Sequence, residues 1–131
     1  MTSQIRLSPN VHNRAMFPNL QSMGTSDLCA LYDAALSLDD IAIAWSNMPA
    51  YTVDDRNVCY TPAGETVVAW STFFSEVRDA IASELQKRRV TDQTFMVLVE
   101  HYNRFGDDPR DVVNIAAGLL ARRDAVSQAA E

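Results

Sequence analysis

Residues 61–89, "TPAGETVVAWSTFFSEVRDAIASELQKRR", decide the fold. Thr61 can cap a helix, Pro62 suits its first position, and Glu65 falls in the first turn, where a carboxylate offsets the positive end of the helix dipole. Val67, Trp70, Phe74, Val77, Ile81 and Leu85 then recur at three- and four-residue steps, the spacing of one helix face. Val68 and Phe73 widen that face, so this helix is expected to be central and touched from two sides. Lys87, Arg88 and Arg89 are read as its last turn, where cations complement the dipole.

Toward the C-terminus, Thr91 or Asp92 opens a third helix, with Phe95, Leu98, Tyr102 and Phe105 at helical spacing. The following "RFGDDPRDVV" (104–113) crowds three aspartates around a glycine and a proline. Each has a structural use: Gly106 as a left-handed C-cap, Asp108 as the next N-cap, Pro109 at the first helical position, and Asp111 reaching back as in a capping box. The cluster therefore reads as a helix stop and start, not as a metal or acid–base site. A fourth helix carries Val112, Ile115, Leu119 and Val126 on one face, with Arg122 and Arg123 near its end.

Toward the N-terminus, Thr25 or Ser26 caps a first helix with Asp27 in its first turn. Its expected buried stripe is Leu28, Leu31, Ala35, Leu38, Ala42 and Trp45, and Pro49 ends it. Between the first two helices lies "SNMPAYTVDDRNVCYT" (46–61). β-formers mirror each other across the polar "DDRN", which predicts a small β-hairpin with Tyr51, Val53, Val58 and Tyr60 on one face. Residues 1–24 carry Pro9, Pro18 and Gly24 and read as an irregular arm. Its Ile5, Leu7, Val11, Met16, Phe17 and Leu20 are expected to pack on the body or on a second subunit. The expected fold is mainly α: a four-helix bundle-like domain over 25–128 with a β-hairpin insert at about 50–60, preceded by the arm.

The chain has 131 residues, 47% hydrophobic and 21% charged, the composition of a single globular domain. No apolar run approaches the roughly 18 residues of a membrane span, and the N-terminal stretch lacks a signal-peptide core. Together these place the protein in a cytoplasm, away from membranes. There, Cys29 and Cys59 are expected as thiols. With only His12 and His101 and no Cys/His cluster, neither a metal nor a cofactor is expected.

Net charge is −6, unevenly spread. Residues 27–76 hold eight acids (Asp27, Asp33, Asp39, Asp40, Asp54, Asp55, Glu65, Glu76) and one base, Arg56. Such a surface repels nucleic acid and attracts a protein with a basic surface.

The favoured functional reading is a non-catalytic interaction or regulatory protein. Met48, Tyr51, Asp54, Asp55, Arg56 and Tyr60 form its partner-binding surface, since Tyr, Met and Arg are enriched at interface centres. The wide apolar stripes of helices one and two suggest a homodimer as well. An alternative is a small enzyme or ligand binder with a pocket between helices lined by Trp70, His101 and Tyr102. Its weakness is that Glu100, adjacent to His101, points away and cannot orient it. A second alternative is a DNA-binding regulator using helices three and four, which lacks a basic face.

Overall fold

The computed structural model describes residues 17–53 and 59–129, with side chains as far as 125. Among these there are four helices: α1 (Thr25–Ser46), α2 (Pro62–Gln86), α3 (Asp92–Phe105) and α4 (Pro109–Ala129). Short 3-10 turns occupy Leu20–Ser22 and Pro49–Tyr51.

The capping chemistry explains most of the boundaries. Thr61 Oγ1 accepts from the Gly64 N–H at 3.0 Å, and Thr91 Oγ1 from the Thr94 N–H at 3.1 Å, so α2 and α3 each start on a threonine cap. Asp108 Oδ1 accepts from the Arg110 N–H at 2.9 Å, which caps α4 with Pro109 in the first position. Three expectations need adjusting. Gly24, not Thr25 or Ser26, is the N-cap of α1. Lys87, Arg88 and Arg89 lie just beyond the end of α2. Gly106 ends α3 with an extended backbone, φ −73°, not a left-handed one. Glycine still matters there, because a Cβ would run into the Tyr102 carbonyl oxygen.

The expected β-hairpin is not formed; no strand or sheet occurs among the described residues. Pro49–Tyr51 is a 3-10 turn, with the Tyr51 N–H donating to the Met48 carbonyl at 3.0 Å. On the other side, Thr61 and Pro62 already belong to the start of α2, and the Tyr51 carbonyl accepts from the Thr61 N–H at 3.1 Å. Between these two ends there is room for one antiparallel bridge, Thr52 with Tyr60, backed by the Val53 N–H to the Cys59 carbonyl at 2.9 Å. Centring a hairpin on "DDRN" would have paired Tyr51 with Tyr60, so the observed bridge is also one residue out of that register, which exchanges the faces. Val58, Asp54, Asp55 and Arg56 lie outside the described residues.

α1 and α2 run antiparallel: Asp39 meets Ser75 and Arg78, whereas Trp45, further along α1, shares a groove with Val67 and Trp70. Their common core holds Leu28, Cys29, Tyr32 and Ala35 against Val77, Ile81 and Leu85. α3 closes one flank of this pair through Leu98, and α4 adds Leu119. Fully burying a leucine or isoleucine is worth about 1.5–3 kcal/mol, so these residues dominate stability. The residues before α1 join the same body. Phe17 meets Phe73 edge-on at 6.3 Å, and Arg88 donates to the carbonyls of Met23 (2.6 Å) and Leu20 (3.0 Å).

Candidate functional site

The buried face of α1 is not the expected one. Leu28, Tyr32, Ala35, Asp39, Ala42 and Ser46 point inward, which shares only Leu28, Ala35 and Ala42 with the predicted stripe. The other column of apolar residues is left on the flank away from α3. Leu38 is 43% exposed, Ile41 51% and Trp45 48%, and across the groove Trp70 on α2 is 55% exposed. These residues line two adjoining hollows that share Leu38 and Phe74. One runs past Pro18, Leu31, Phe73 and Val77; the other past Ile41, Trp45, Val67 and Trp70. Their lining residues are almost wholly apolar. Single exposed leucines need no explanation, but here the exposed apolar side chains are contiguous along both helices.

At the far end of the groove, Tyr51 stacks on Trp45, ring centroids 6.3 Å apart, and Met48 stands exposed beside it in sequence. Of the predicted partner-binding residues, Tyr51 touches the groove residue Trp45, Met48 is exposed in the same connection, and Tyr60 belongs to the β-bridge. A Cβ at Gly64 would collide with the Tyr51 carbonyl, so glycine is what lets this end of the loop sit against α2.

The acidic segment is less available than its count suggests. Asp39 is buried and accepts from Ser71 (2.5 Å), Ser75 (3.0 Å) and Arg78 (3.0 Å). Asp40, about 100° further around the helix, takes two hydrogen bonds from Arg104, at 2.8 and 3.0 Å. Adjacent carboxylates therefore diverge, as helical geometry requires. Asp27, Asp33, Glu65 and Glu76 have no ion-pair partner among the described residues.

The third candidate region is at His101. Its Nδ1 lies 2.7 Å from the Tyr32 hydroxyl, and its Nε2 3.9 Å from Asp79. Burial lowers the His101 pKa, outweighing Asp79, which pulls it up. Burial likewise pushes the Tyr32 hydroxyl up to about 12. A neutral imidazole held by a neutral phenol is a satisfied buried pair. Arg78 extends the network: its guanidinium sits 3.6 Å from the Phe105 ring centroid and also binds Asp79 at 3.1 Å. His101 and Tyr102 line a cavity of about 290 Å³ with Phe105, Asp107, Asp111 and Asn114. Its polar groups are His101, Tyr102, two carboxylates and an amide, beside Phe105 and Ile115. Trp70 lies in the apolar groove instead, apart from this cavity.

Sequence reading missed the Asp39–Arg78 pair and the Tyr32–His101 pair, which Asp79 connects by lying near both Arg78 and His101. The available signal was the second register of α1, in which 28, 32, 35, 39, 42 and 46 alternate four- and three-residue steps. An aspartate in that register looks like an error until its partner is known.

The basic side chains near the α3–α4 end are engaged internally. Arg122 donates to the Arg88 carbonyl at 3.0 Å and Arg123 pairs with Asp92 at 2.8 Å. Among the described residues no group of three or more His, Cys, Asp or Glu side chains could hold a metal ion, and no helix is long and apolar enough to cross a membrane. The chain matches no protein-family model, no curated protein and no solved structure.

Proposed function

We propose that this protein is a non-catalytic interaction module that docks an amphipathic segment of a partner protein in the α1–α2 groove. The observation that carries this reading is the pair of half-exposed tryptophans, Trp45 and Trp70, facing the same apolar hollow with Leu38 and Ile41. Tryptophan anchors in desolvated pockets contribute most of the binding energy at interfaces. An apolar groove between two helices takes an amphipathic helix through anchors spaced three and four residues apart. The partner's flanks should be basic, because Asp27, Asp33, Glu65 and Glu76 have no ion-pair partner among the described residues and Arg56 is the only base in the sequence from 27 to 76. A cytoplasmic setting fits the two free thiols, Cys29 and Cys59. Self-association, expected from the width of the apolar stripes, would use the same groove and compete with the partner.

The test uses two designed amphipathic peptides with the same leucine face, one flanked by lysines and one by glutamates. Calorimetric titration should show saturable binding of the lysine peptide, weaker binding of the glutamate peptide, and loss of both with Trp45→Ala/Trp70→Ala. Equal binding of both peptides by the tryptophan variant would overturn the reading. A second reading, a small-ligand site, is favoured only by the cavity beside His101. It predicts that filling the cavity with Asn114→Trp abolishes ligand binding while the groove peptide still binds.

A further inference from the structure

The groove does not begin in open solvent. Phe17 packs on Phe73, and Pro18 lines the groove with Leu31, Leu38 and Phe74. The described chain therefore begins at the head of the groove, and residues 1–16 are attached there.

Those residues have the chemistry expected of an occupant. They carry Ile5, Leu7, Val11 and Met16 as apolar groups, Arg6 and Arg14 as bases, and no Asp or Glu. The groove is apolar, and the helices forming it carry Asp27, Asp33, Glu65 and Glu76, none of which has an ion-pair partner among the described residues. Length is sufficient as well. Leu31 to Trp45 rises about 21 Å along α1, whereas sixteen extended residues reach about 50 Å. A tethered segment also acts at a high effective concentration, so weak contacts are enough to occupy a site beside its anchor.

We infer that residues 1–16 dock in the α1–α2 groove of their own chain and compete with the partner, an autoinhibitory contact. This rests on the reading of the groove as a docking face. A partner must displace the segment, and its apparent affinity falls by the fraction of molecules in which the groove is free.

The test keeps the full chain. Trp45 and Trp70 are the only tryptophans, and both face the groove, so acrylamide quenching of their fluorescence reports its occupancy. Leu7→Asp/Val11→Asp should increase quenching and tighten lysine-peptide binding about tenfold, as expected if the segment fills nine grooves in ten. Arg6→Glu/Arg14→Glu should act in the same direction, and unchanged circular dichroism confirms folding. Unchanged quenching in both variants, with the peptide binding them and the wild type equally, overturns the inference while leaving the docking face intact. Failure of the peptide to bind any version overturns both. Shielding that grows with protein concentration and ignores the substitutions also overturns it, in favour of a second copy in the groove.

Discussion

Arg78 is the side chain on which most of the polar interior converges. It is buried on α2, paired with Asp39 on α1, and stacked on Phe105 of α3. Two charges removed from water are tolerable only while both remain, so removing one leaves the other uncompensated. Arg78→Met or Asp39→Leu alone should lower stability by about 3–5 kcal/mol in denaturant titration, and the double variant should lose less than the sum of the two. His101 gives a second residue-level expectation. Its folded pKa is below that of the unfolded chain, so the unfolded state takes up the proton first. The stability it contributes is complete above about pH 6.5 and is lost as the pH falls through the lower folded value. Melting temperatures measured from neutral to mildly acidic pH should drop more steeply for the wild type than for His101→Gln. None of these partners was readable from the sequence, because Tyr32 and His101 are 69 residues apart and only the fold brings them together.

Helix ends were the most legible elements. Thr61, Thr91 and Asp108 act through hydrogen bonds two or three residues away, and such local chemistry is written in adjacent letters. Thr61→Ala should cost about 1 kcal/mol, whereas Gly64→Ala should cost about 1–3 kcal/mol, because its methyl meets the backbone carbonyl of Tyr51. Both are measurable by chemical denaturation. The hairpin expectation failed for an equally physical reason. β-propensity in Tyr51, Val53 and Tyr60 was outweighed by Pro49 on one side and the Thr61–Pro62 helix start on the other, which left too little chain for a ladder. The face of α1 was misassigned because its apolar residues fit two registers. A helix with isoleucine, leucine and tryptophan on its outer side gives no internal signal for choosing between them.

The molecule as a whole is unevenly covered. α3 and α4 protect one flank of the long α1–α2 pair, and the opposite flank keeps an apolar groove containing both tryptophans. On the proposed reading, that asymmetry separates folding from binding. Trp45→Ala/Trp70→Ala should lower the unfolding free energy by about 1.5–3 kcal/mol, since each half-exposed indole forfeits about half the burial of a core side chain, leaving the fold intact, yet it should remove peptide binding. Charge balance alone suggests a protein partner with a basic surface, but it says nothing about which face such a partner would use. Asp39 and Asp40, two of the eight acids counted from 27 to 76, are taken up by Arg78 and Arg104. The most direct measurement is a nuclear magnetic resonance titration of the protein with the lysine-flanked amphipathic peptide. Docking in the groove predicts saturable shifts of the Trp45 and Trp70 indole N–H signals and of the Leu38, Ile41 and Phe74 amides. Shifts confined to His101, Asp111 and Asn114, with both indole signals unmoved, would contradict the account.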